Sequence, residues 1–208
     1  IYNNIMDINF TALVYLFLRL APFILVSFFS ISSIFNYDFK GAVYLLGLLA
    51  SSVIVLSLES IISSISPGIF DAPSQRELTC DFLNITDNSP LSSLPLGSGI
   101  ISYTFSYLLY VIIKYEYVAN NVPLMIFFSV LILSDFIWHI THSCYNQTTV
   151  LITIILFASC GVLFSFLLDK LKLVDLQYFT HVSGQQVCSR PSKQSFHCSI
   201  QKKNLDAA

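Results

Sequence analysis

Residues 41–65 read GAVYLLGLLASSVIVLSLESIISSI, a 25-residue run with one charge, Glu59. A helix crosses the hydrocarbon of a bilayer with roughly 20 predominantly apolar residues. Gly41 to Ile65 therefore reads as a spanning helix. Four further stretches meet the same length: Phe10–Ile34 with Arg19 and Pro22, Gly97–Val118, Val122–Ile140, and Thr149–Leu168. The third is the shortest in clean apolar length, because Lys114 and Glu116 interrupt it. Pro123 falls at the start of the fourth, where a helix tolerates proline best.

The rest of the chain agrees. Of 208 residues, 55% are hydrophobic and only 11% charged, with a mean hydropathy of +0.72. A soluble domain carries about 25% charged residues, so lipid faces most of this surface. The expected fold is an all-α transmembrane helical bundle of about five spans, or four if the third falls short. Residues 1–168 form that bundle, with a proline-rich extramembrane loop at 66–96; residues 169–208 form a polar, basic C-terminal tail. Four prolines in the loop (Pro67, Pro73, Pro90 and Pro95) argue against a long helix there. The first apolar run lacks a basic leader and a small-residue cleavage motif, so no cleavable signal peptide is expected. The start at Ile1 is expected to be an incomplete or processed one. No internal repeat is visible.

Five spans place successive loops on alternate sides, here X (the N-terminal side) and Y. Lys40, Lys114, Lys170, Lys172, Arg190, Lys193, Lys202 and Lys203 fall on Y, and Arg76 alone on X. The positive-inside rule then makes Y cytosolic, with the C-terminus on that side. The triplets at Asn9, Asn84 and Asn146 all fall on X, and Asn84 alone lies far enough from a span to be a plausible glycan acceptor.

Charges within spans are costly and are usually paired. Arg19 lies about 13 Å and Glu59 about 9 Å from the X face at the helical rise, so an ion pair locking the first hairpin is expected. The alternative, a proton or ion path, would call for broken helices or a repeated half, and neither is visible. In DFIWHITHSC, Asp135, His139 and His142 share one helix face and Cys144 comes two residues later. The set resembles a weak zinc or copper pattern, but a helix end among headgroups accounts for it better, and no metal or cofactor is expected.

The five cysteines divide by side: Cys80 and Cys144 on X, Cys188 and Cys198 on Y, Cys160 inside a span. A Cys80–Cys144 disulfide would restrain the open chain by about 3–4 kcal/mol; two free thiols are the alternative. In the tail, Phe196, Cys198 and Ile200 alternate with Ser195, His197 and Ser199, and Pro191-Ser192-Lys193 supplies a turn. Residues 185–200 thus read as a small cysteine-framed β-hairpin with Cys188 and Cys198 on opposing strands. The competing readings are free thiols, the default in a reducing compartment, and a metal site of His181, Cys188, His197 and Cys198, whose spacing departs from zinc patterns. Arg190, Pro191, Lys193, Phe196, Lys202 and Lys203 form a candidate partner-binding surface for anionic lipid or an acidic protein. Arg190-Pro191-Ser192 with His197 loosely resembles a lipid-phosphatase cluster, but one cluster after the last span cannot assemble that pocket. No enzymatic activity is expected.

Residues 80–85 (CDFLNI), 103–107 (YTFSY), Asn121-Val-Pro, Ser134-Asp135, Cys144 and above all 188–198 (CSRPSKQSFHC) resemble a family of small multi-span proteins in the internal membrane of nucleocytoplasmic large DNA viruses. The resemblance covers roughly residues 79–200, and its motifs are strongest in the tail. It implies a structural, non-enzymatic protein of the virion's internal membrane, derived from host endoplasmic reticulum. Its partners would be the bilayer, capsid or minor capsid proteins, and other copies or chains in an oligomer, with no nucleic acid. Such viruses often encode a thiol oxidase, which would make a Cys188–Cys198 disulfide attainable in the cytosol. The rival class is a small transporter or lipid-handling enzyme of the endoplasmic reticulum.

Overall fold

Lipid offers no hydrogen bonds, so a helix rich in hydroxyl groups must turn them inward. The third helix does so. The computed structural model describes residues 10–66, 68, 70 and 94–178. In it α3, Leu96–Lys114, buries Ser98, Ser102, Tyr103, Thr104, Ser106 and Tyr107 and is the most enclosed element. Around it lie α1 (Phe10–Phe35), α2 (Lys40–Ile65), α4 (Val122–Thr141) and α5 (Gln147–Lys170). All five are long and apolar enough to cross a membrane, and the described residues contain no strand.

The packing depends on small residues, because lipid tails are as apolar as leucine and do not drive helices together. Helices α3 and α5 run parallel and closest. A Cβ at Gly161 of α5 would come within 2.6 Å of the Tyr103 carbonyl oxygen. Ser102 Oγ donates to the Ile154 carbonyl at 2.8 Å, and Lys114 pairs with Asp169 at the Y end. Helix α2 lies antiparallel to α3, joined by the Tyr44 hydroxyl and Thr104 Oγ1 at 2.6 Å. On the other flank, α4 meets α3 through stacked Phe105 and Phe128 and through Ser98 and Asp135. Pro22, inside α1, rests against Gly97 at the start of α3. Leu46, Leu49 and Val53 on α2, Ile126, Val130, Leu133 and Ile137 on α4, and Ile155 and Leu163 on α5 stay exposed. They form the lipid face.

Four helices end alike. Tyr37, Glu116, Ser143 and Lys172 have φ of 52°, 58°, 49° and 58°. The next residue in each case bonds five positions back: Asp38 to Ser33, Tyr117 to Ile112, Cys144 to His139 and Leu173 to Leu168. This left-handed closure usually falls to glycine, yet no glycine is used. It also corrects the expected third span. The helix stops at Lys114 because Glu116 reverses the chain, and Val118 belongs to a 3-10 turn, Val118–Asn120. The other four spans match the expected bounds within two residues.

Candidate functional site

At the X end, a polar cluster interrupts the apolar packing. Ser98 is the third residue of α3, whose N-terminal turn leaves backbone N–H groups without helical partners. Its hydroxyl donates to Asp135 Oδ2 on α4. A carboxylate at a helix N-terminus complements the dipole there, and Asp135 meets the first turn of α3 through the Ser98 hydroxyl. One turn along α4, His139 Nε2 lies 3.6 Å from Asp135 Oδ1. The His139 ring also meets Tyr145 edge-on at 5.2 Å. Ser98, Asp135 and His139 are all buried. Among the described residues, His139 Nδ1 has no hydrogen-bond partner.

Asp135 and His139 thus come together as their spacing suggested. His142 does not join them. Its ring stacks on Trp138 at 3.9 Å, with Nδ1 3.2 Å from the Trp138 carbonyl. Among the described residues no three His, Cys, Asp or Glu side chains converge as a metal set. Cys144 is buried and is not a free thiol; the free one among the described residues is Cys160. Arg19, half-buried on α1, lies within electrostatic reach of His139, while Glu59 is half-buried on α2. Both Arg19 and Glu59 are engaged in further interactions. Ser98 was not legible as part of the cluster, since nothing in LGSG marks one serine as a carboxylate partner.

At the Y end, aromatic rings fill the space between helices. Tyr44, Tyr103 and Tyr107 are fully buried, Phe29 stacks on Tyr44 at 4.5 Å, and Phe164 lies 6.3 Å from Tyr107. The chain after α5 is built into this packing. A 3-10 turn at Val174–Leu176 folds it back under the bundle. Gln177, fully buried, donates from Nε2 to the Ser165 carbonyl at 2.7 Å. The Tyr178 hydroxyl donates to the Phe29 carbonyl at 3.1 Å, its ring edge-on to Phe29. Burial, with the Asp38 charge behind it, pushes this hydroxyl's pKa up to about 12. Beside the Lys114–Asp169 pair, burial and then the Asp169 charge raise the Tyr115 hydroxyl as well. The root of the tail is therefore part of the bundle, which reading the tail as beginning at residue 169 did not anticipate.

Lys40, Lys114, Lys170 and Lys172 gather at this Y end of the bundle. Cys80, Cys188, Cys198, Arg190, Pro191, Lys193, Phe196, Lys202 and Lys203, and with them the hairpin, lie outside the described residues. No protein-family model, curated protein or solved structure matches this chain.

Proposed function

We propose that the chain is a structural membrane protein of a large DNA virus particle, anchoring the internal membrane to capsid or minor capsid proteins through its polar tail and its proline-rich loop. The observation that carries this reading is the anchored tail root. Gln177 and Tyr178 tie the start of the tail to α5 and α1, so a force on the tail is passed to the bundle rather than to a slack linker. The tyrosine-filled interior of the Y half suits a load-bearing bundle. The lysines at the Y end support a cytosolic tail by the positive-inside rule. In this reading Arg19 and Glu59 pair across the first hairpin, and Cys80 closes on Cys144 on the opposite side. Arg190, Pro191, Lys193, Phe196, Lys202 and Lys203 meet the shell.

The test is deletion of residues 179–208, which keeps Gln177 and Tyr178 in place. The truncated protein should insert and fold, but it should fail to co-purify with capsid proteins from assembled particles. Undiminished recovery of those proteins rules out docking through the tail. The rival reading, a transporter or lipid-handling enzyme, draws on the buried Asp135–His139 contact. For a transporter, Asp135→Asn abolishes flux and leaves yield intact; for a structural bundle it lowers yield.

A further inference from the structure

Helix α4 buries one stripe against the bundle, Phe128, Leu131, Asp135 and His139, with Leu124, Met125, Ile132 and Trp138 half-buried beside it. The Y half of that stripe is apolar and the X half is polar. Since apolar surface alone does not hold helices together in lipid, the Ser98–Asp135 bond, with His139 set against the same carboxylate, is the polar contact that joins the X end of α4 to α3. We propose that His139 is a proton-operated latch: a proton taken up at Nδ1 frees the X end of α4 from α3.

The geometry fixes the order of events. His139 Nε2 faces the Asp135 carboxylate at 3.6 Å, so the proton of the neutral ring belongs on Nε2 and Nδ1 carries a lone pair. Nδ1 is buried without a partner among the described residues, in a side chain only 4% exposed. Leaving a lone pair unmet costs little beside leaving a charged N–H unmet. A proton arriving from the X side converts the first into the second. The ionisable groups around the ring are Asp135 and His142 on α4, Arg19 on α1 and Tyr145 on the α4–α5 link. Helix α3 contributes Ser98 and the first turn of α5 buries Thr149, neither of which takes up charge. Glu59 lies in the same half but on α2. Asp135 is the carboxylate that faces the ring, and it meets Nε2 while already shared with Ser98. The Nδ1–H finds its acceptor among water and headgroups. His139 lies two residues from the helix end at Thr141, so a shift of about one turn reaches them.

The chain's single tryptophan, Trp138, is adjacent and registers the change. Because the His142 ring stacks on it, the measurement uses the full chain carrying His142→Gln in nanodiscs of zwitterionic lipid. Between pH 8 and pH 5, the range in which histidine titrates, Trp138 emission should shift to the red in one sigmoidal step. Adding His139→Gln should abolish the step. A step that survives His139→Gln, or no step in the His142→Gln protein, overturns the latch. Should either variant misfold, hydrogen exchange on the unsubstituted protein decides. Amides of the X half of α4 should lose about tenfold more protection at pH 5 than at pH 8, after correction for intrinsic rates, while those near Phe128 keep theirs. Equal protection in both halves overturns it.

Discussion

Gly161→Ala tests the contact on which the bundle is built. The added Cβ would sit 2.6 Å from the Tyr103 carbonyl oxygen, 3.2 Å from the Tyr107 nitrogen and closer still to Ser106 Oγ. The serine can rotate away, at the loss of its 3.0 Å bond to the Tyr103 carbonyl. The carbonyl belongs to the α3 backbone and cannot. Ordinary contact begins at 3.4 Å, so the helices must part by about 0.8 Å. The Ser102–Ile154 bond, 2.8 Å long and two turns away, would then stretch to about 3.6 Å and cease to be a hydrogen bond. Overpacking of this kind costs about 1–3 kcal/mol. A lost interhelical bond in lipid adds about 0.6 kcal/mol. Alanine's better helix propensity returns about 1 kcal/mol. Destabilisation wins by about 0.6–2.6 kcal/mol, a roughly 3- to 70-fold fall in the folded-to-unfolded ratio. Reversible unfolding in mixed micelles of rising SDS fraction, monitored by Trp138 emission and far-UV circular dichroism, reads this directly. Gly97→Ala is the control, since its Cβ meets only Pro22 Cγ, at 3.3 Å. If Gly161→Ala proves as stable as Gly97→Ala, α3 and α5 do not pack backbone to backbone.

The left-handed helix ends give the opposite sign. Glycine at Tyr37, Glu116, Ser143 or Lys172 removes a Cβ penalty of about 1 kcal/mol, and each single variant should match or exceed the parent in the same unfolding assay; a loss above about 1 kcal/mol at all four would show the side chains to be needed. Ser98→Ala should cost about 1 kcal/mol and Asp135→Asn about 1.5–3 kcal/mol, since the second removes a charged acceptor; equal stability to the parent would mean that the Ser98–Asp135 bond does not hold α3 to α4. The tyrosine at 178 makes the tail root alkali-sensitive. Its hydroxyl ionises near pH 10 in the unfolded chain but near 12 in the bundle, so the folded state holds the proton longer and stability falls as pH rises above 10. Tyr178→Phe should remove that part of the alkaline loss, measured as the difference between the two proteins from about pH 9 to 11; identical profiles would place Tyr178 in solvent.

Span positions were legible because they depend on one variable, the length of a predominantly apolar run. The end of α3 was less so. Lys114 and Glu116 weaken the apolar run there without marking where it stops, and the positive φ at Glu116 ends the helix. Half of the X cluster could be read from helical spacing, which brings Asp135 and His139 together on α4. Ser98 belongs to a helix 37 residues earlier, and which serine faces the carboxylate depends on how α3 and α4 are rotated against each other. His142 illustrates the limit of spacing: a shared face with His139 did not prevent it from stacking on Trp138 instead. Gln177 and Tyr178 were invisible for a simpler reason. Two polar residues after the last span read as the start of a solvated tail, and their burial depends on a cleft made by α1, α2 and α5.

The parallel pairing of α3 with α5 has a cost during synthesis. A ribosome finishes α3 at Lys114 and α5 at Lys170, 56 residues later. At about 5–20 residues per second, α3 waits roughly 3–11 s for its main partner. Until then its serines, threonine and tyrosines have only α1 and α2, and once Thr141 is made also α4, to shelter them. The insertion machinery must therefore retain α3, or hand it to a membrane chaperone, until translation delivers the last helix.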